Sequence, residues 1–144
     1  LVQDGHECVC GQRGCLETYL YGQRLLRRYE SRAGTHLDGV RDFFAHAAAG
    51  DPVALSMVGE AAGVIGTAVA MAATLLDLDL VVIGGLWGEL GASLVQPVQA
   101  KAVEILDRSG LDRAFAVRSS ALGEDSDVLG AAGTVINRWF TPPI

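Results

Sequence analysis

Residues Asp51 to Leu76 read DPVALSMVGEAAGVIGTAVAMAATLL, and no other stretch constrains the fold as strongly. An aspartate followed by proline is a helix start: the carboxylate accepts from free backbone N–H groups, and proline suits the first turn. The pattern predicts a helix to about Leu76. It is apolar nearly all round, which makes it central. Its small residues, Gly59, Ala62, Gly63, Gly66, Thr67, Ala70 and Ala73, have a cost, because each glycine lowers helix stability by about 1 kcal/mol relative to alanine. They make sense if another element presses against that face. The uncharged apolar part, Ala61 to Leu76, is interrupted by glycines and followed by Asp77 and Asp79. It falls short of the roughly 20 residues that span a bilayer. With no signal peptide before it, the expectation is a soluble, cytoplasmic protein with no membrane partner.

Elements on either side follow from periodicity. Leu1 to Gly14 is polar, glycine-rich and aperiodic, a loop. From Cys15 to Gly34 the apolar residues Leu16, Tyr19, Leu20, Leu25, Leu26 and Tyr29 recur at helical spacing. Gly22 is a candidate break, and Gly34 a candidate C-cap. A second helix is predicted from Gly39 to Ala49. Leu80 to Ile83 reads as a buried strand of a parallel or mixed sheet, closed by Gly84 and Gly85. An amphipathic helix over Leu94 to Leu106 follows, with Pro97 in its first turn. Ala114 to Val117 is a second strand and Ser119 to Asp125 a loop. A last helix, capped by Asp125 or Ser126, runs to about Phe140, and Thr141 to Ile144 ends it. This is an α/β pattern with too few strands for a stand-alone sheet, which typically has about 4–6. The chain is expected to be the C-terminal part of something larger, with Leu1 a cut.

Charge narrows the partners. The formal net charge is −6. Outside Arg24, Arg27, Arg28 and Arg32 on one helix there is no basic cluster, and Arg24, Arg27 and Arg28 read as a solvated face. A nucleic-acid surface is disfavoured. Trp87 and Trp139 read as packing or interface residues.

All three cysteines lie within CVCGQRGCLE, Cys8 to Glu17. Their odd number disfavours a disulfide framework. Gly11 and Gly14 let the backbone curl so that Cys8, Cys10 and Cys15 converge, which suits a structural zinc. Zinc takes four ligands in a tetrahedron, so one position is open, and His6 is the nearest candidate in this chain. Three free thiols in a polar loop are the alternative. Glu17, two residues on, reads by itself as an ordinary acidic residue at a helix start, where the helix dipole favours it.

The spacing C-x-C-G-x-x-G-C-x-E, from Cys8 through Glu17, resembles the signature of the ROK family of bacterial repressors, uncharacterised reading frames and sugar kinases. Leu80 to Gly85 (LVVIGG), Leu122 to Asp125 (LGED) and Leu129 to Ala132 (LGAA) are similar to later family segments. The resemblance implies the C-terminal lobe of an actin-like, sugar-kinase (ribonuclease H-like) fold, with a zinc-motif loop at residues 1–17 and a helical and α/β lobe at 18–144. It implies a zinc held by Cys8, Cys10, Cys15 and a histidine upstream of Leu1, which leaves His6 outside the family pattern. It also implies that Glu17 contacts sugar hydroxyls, and that in a kinase Gly84 and Gly85 lie against ATP.

Three functions compete under this resemblance. The expectation placed first is the sugar-binding and oligomerisation part of a transcriptional regulator, in which sugar shifts the lobes of a homo-oligomer (a dimer or tetramer) and so the spacing of DNA-binding heads. DNA contact would come only through an N-terminal domain absent from this sequence. The alternatives are the C-terminal lobe of a glucokinase-like, ATP- and magnesium-dependent sugar kinase, and a non-catalytic assembly module. In the family the catalytic aspartate and first phosphate loop lie in the other lobe. No catalytic residue is therefore expected here, and this chain alone is not expected to be active.

Overall fold

The computed structural model describes residues 1–110 and 114–140. The helical stretch after Cys15 divides into α1 (Glu17–Leu20) and α2 (Gly22–Ala33). The break falls at Tyr21, whose backbone is extended at φ −68° and ψ 126°, one residue before the expected glycine. Gly22 serves packing instead: a Cβ there would run into Cγ2 of Val40. α2 ends at Gly34, left-handed at φ 67°, whose N–H donates to the Glu30 carbonyl, as the C-cap reading required. In α3 (Val40–Ala48), Asp42 Oδ2 accepts from the Gly39 N–H at 3.0 Å.

The predicted central helix is α4 (Pro52–Leu76), and Asp51 Oδ1 accepts from the Ala54 N–H at 2.7 Å. By length and composition α4 could cross a membrane, but 56% of its apolar window is buried inside the protein, as in a core helix. Its main neighbour is α6 (Ala92–Arg108). Ala62, Ala70, Ala73, Val98 and Ala102 are fully buried. A Cβ on Gly66 would stand 2.6 Å from Lys101 Cβ and 3.0 Å from the Val98 carbonyl oxygen, so α6 lies this close only because residue 66 is glycine. Gly59 and Gly63 face open space. At the other end of the core, Tyr29 meets Phe43 edge-on at 5.8 Å, Phe43 meets Phe44 at 5.4 Å, and Phe44 meets Trp87 at 5.1 Å. Trp87 is thus a packing residue, as expected, whereas Trp139 is 80% exposed.

β1 (Leu80–Ile83) and β2 (Ala116–Ser119) pair in parallel, Leu80 opposite Ala116 and Ile83 opposite Ser119. β2 lies two residues later than the sequence suggested. β1 is also not buried on both faces. Val81 and Ile83 pack on the core, while Leu80 and Val82 are 47% and 54% exposed, because the helices contacting the core cover one face. A short helix, α5 (Gly85–Glu89), was not foreseen. α6 begins earlier than expected, which moves Pro97 from the first turn into the helix interior. On α6, Gln99 Nε2 donates to the Phe115 carbonyl at 2.9 Å, and its Oε1 accepts from the Val117 N–H at 2.5 Å. A 3₁₀ turn at Gly123–Asp125 leads to α7 (Ser126–Phe140), which exposes Val128, Leu129, Val135, Ile136 and Trp139. The expected stop at Thr141 to Ile144 lies outside the described residues.

Candidate functional site

The thiol knuckle is a tight loop tied by backbone bonds. The Cys8 N–H donates to the Gln12 carbonyl at 2.8 Å, Gly11 to Cys8 at 3.0 Å, and Gly14 to His6 at 2.9 Å. Gly11 and Gly14 sit at φ 83° and 70°, the left-handed region that favours glycine. At Gly14 a Cβ would also collide with the Val2 carbonyl. The third cysteine is fixed from the helix side: buried Thr18 donates through Oγ1 to the Cys15 carbonyl at 2.7 Å.

The result is convergence. The three Sγ atoms lie within 4.8 Å of one another, and those of Cys10 and Cys15 are 3.6 Å apart. No disulfide joins them. Tetrahedral zinc with Zn–S bonds of about 2.3 Å holds its sulfurs roughly 3.8 Å apart, so the spacing suits a metal. The thiols also influence each other's protons. The Gln12 backbone N–H, then hydrogen bonds from Cys8 and Cys15, hold Cys10 below an ordinary thiol. Hydrogen bonding to Cys10 and Cys8 pushes Cys15 up to about 11. It is the closeness of the three sulfurs that suits these cysteines to hold a metal ion. His6 lies outside the sulfur cluster. Its ring packs on Tyr19 at 5.1 Å, and burial, then the charge of Arg28, holds it below an ordinary histidine.

Glu17 opens α1 and is exposed. It lines a pocket of about 170 Å³ with Cys8, Val9, Thr18, Tyr21 and Arg24. The thiol loop and the carboxylate thus line the same pocket. Gly84 and Gly85 lie elsewhere, at the C-terminal end of β1, where Gly85 adopts φ 61° and α5 begins. Strand C-termini are where open α/β sheets bind ligands. Gly88, not singled out from sequence, is needed in the same turn, because a Cβ would stand 2.6 Å from the Ile83 carbonyl oxygen.

The sequence reading missed an ion-pair cluster. Arg32 Nη1 donates to Glu60 Oε1 at 2.6 Å, and Arg28 pairs with the other oxygen of the same carboxylate. Arg28 is not part of a solvated face: its side chain is only 16% exposed. Arg28 and Arg32 lie four apart on α2, and Glu60 is the one acidic residue within α4. That isolation in an apolar helix was the available signal.

Element order, parallel strands and thiol knuckle together define the C-terminal lobe of an actin-like α/β fold. A ROK family glucokinase from Streptomyces griseus, solved with glucose and AMPPNP, superposes with a TM-score of 0.76 at 27% identity, over 93% of this chain and 48% of that one. The ROK family model matches residues 1–138, and the chain belongs to the ROK family. Among curated relatives, a glucokinase of Halalkalibacterium halodurans is 33% identical over 94% of this chain and 44% of its own. An N-acetylmannosamine kinase of Citrobacter koseri is 32% identical over 89% of this chain and 42% of its own. A ROK family transcriptional regulator, a homologue of the Escherichia coli MLC protein, shares the fold with a TM-score of 0.70 at 22% identity, over 83% of this chain and 32% of that one. The chain spans less than half the length of the curated relatives it matches.

Proposed function

We propose that this chain is the sugar-binding, metal-clamped lobe of a cytoplasmic ROK sugar kinase. The observation that carries the reading is the pocket in which Glu17 and Cys8 share a wall. Zinc held by Cys8, Cys10 and Cys15, with a fourth ligand from outside the cluster, would supply a fixed charge and rigid geometry; it does no chemistry on the sugar. The loop of residues 1–17 then sets the start of α1, and α1 aims Glu17. A carboxylate there accepts from two vicinal hydroxyls and so orients a hexose. Gly84 and Gly85, at the end of β1, would let an ATP phosphate or adenine approach backbone. Proton abstraction and phosphate activation belong to residues outside this sequence.

The sequence alone favoured a regulator. The preference moves because the curated relatives quoted above are sugar kinases, whereas the likeness to the regulator is one of fold. Assembly as a homo-oligomer stays part of the proposal, with the exposed apolar residues of α7 as its surface.

The test has two arms. Ligand-observed NMR of the 144-residue chain with glucose, N-acetylglucosamine and N-acetylmannosamine should show saturable binding that Glu17→Gln weakens about tenfold or more. Unchanged binding in that variant removes Glu17 from the site. The intact protein, given ATP and the same hexoses, should release ADP; a protein that binds sugar without turnover is a regulator instead.

A further inference from the structure

One face of the molecule runs against its composition. Although the chain is acidic, four of its eleven lysines and arginines line a single open cleft of about 410 Å³. These are Arg13, Arg24, Arg27 and Arg28, with His6, Thr18 and a single carboxylate, Glu7. Like charges brought together cost energy unless something holds them, and here three are held. Arg13 Nε donates to the Gly5 carbonyl at 3.1 Å and Nη1 to Glu7 Oε1 at 3.0 Å. Arg24 donates to the Glu7 carbonyl. Arg28 is anchored by Glu60 and lies over the Tyr19 ring, 5.6 Å from its centroid.

One guanidinium is left over. Arg27 is exposed and makes no ion pair among the described residues.

We propose that this cleft is a binding site for a phosphate dianion, free or as a phosphomonoester. The arginines come from two elements, the knuckle loop and α2, so they face an anion from more than one side. Guanidinium forks match tetrahedral oxyanions and bind them by paired, charge-assisted hydrogen bonds. The volume falls within the roughly 300–1,000 Å³ of small-ligand sites. The cleft also shares Thr18 and Arg24 with the Glu17 pocket. A hexose phosphate could place its hydroxyls on Glu17 and its phosphate among the arginines. That extension rests on the sugar-binding reading above; the anion site itself does not.

The experiment is a titration of the 144-residue chain with inorganic phosphate, glucose 1-phosphate and glucose 6-phosphate, followed by phosphorus NMR and calorimetry at ionic strength held constant with chloride. Saturable binding is expected. Arg27→Ala should weaken it about tenfold, with far-UV circular dichroism and melting unchanged because Arg27 is exposed and makes no ion pair among the described residues; Arg27→Lys should recover part of the loss. Non-saturable binding, or saturable binding indifferent to both Arg27→Ala and Arg24→Ala, overturns the proposal. Glu17→Gln separates the two sources. If it weakens a hexose phosphate and spares inorganic phosphate, the ligand is the sugar ester. If all three ions bind alike and ignore it, the anion site stands as a free-phosphate site while the sugar reading falls.

Discussion

Gly66 on α4 and Lys101 on α6 stand so close that a Cβ added to the glycine would lie 2.6 Å from the lysine Cβ. This sorts glycines that look alike in sequence. Gly66→Ala should destabilise the chain in spite of alanine's better helix propensity, since the Val98 backbone leaves no room. Gly63→Ala meets nothing within 4 Å and should stabilise it by up to about 1 kcal/mol. Urea unfolding of both variants measures the difference, and equal shifts would contradict the close contact.

Metal content should follow the thiols. Purified chain is expected to carry zinc by mass spectrometry, and Cys10→Ser to lose most of it. Chelation should lower the melting temperature and loosen the loop ahead of α1, leaving the helical circular dichroism signal nearly intact, because the core around Tyr29, Phe43, Met57 and Leu94 lies outside the knuckle. Zinc content that ignores Cys10→Ser would refute the assignment.

Glu60 gives a pH dependence with a definite sign. Burial alone would raise its pKa, but hydrogen bonding and charge from Arg32 and Arg28 outweigh burial and hold it below an ordinary glutamate. A carboxyl whose native pKa is depressed adds stability above its unfolded value, about 4.3, and loses it as pH falls through the native value. Glu60→Gln should therefore cost stability near neutrality, about 1 kcal/mol for a partly exposed cluster, and the gap to wild type should close on acidification below that unfolded value. Denaturant titrations at a series of pH values test this; a gap that widens in acid would reverse the sign.

How far the sequence announced all this depends on whether the cause was local. Asp51 capping α4, Gly34 ending α2 and the cysteine knuckle were legible, because each is decided by a few neighbouring residues. α5, the shift of β2 and the interior place of Pro97 were not, since pairing and packing with distant segments set them. The exposure of Leu80 and Val82 was misread for a related reason: apolar composition says a face prefers cover, and only the fold says whether described residues provide it. At the site, the convergence of the thiols could be read from spacing, and Glu17 entered only through the family resemblance, whereas the pairing of Arg28 and Arg32 with Glu60 joins residues about thirty positions apart and needs the packing of α2 on α4.

Tyr29 offers a separate check on the core. Its hydroxyl lies 3.0 Å from His46 Nδ1, with the ring buried. Tyr29→Phe keeps the ring and removes the bond, and should cost about 1 kcal/mol in chemical denaturation. No measurable loss would contradict the bond.

The side-chain amide of Gln99 behaves toward β2 as a borrowed fragment of backbone. It offers a donor to Phe115 and an acceptor to Val117, the groups that a further neighbouring strand would otherwise engage. That border of the sheet is thereby sealed by one residue of α6. Lateral growth, whether proper annealing with a complementary segment or unwanted self-association, is steered to the opposite flank, along β1. Gln99→Ala would unseal the border and make the ribbon extendable in both directions.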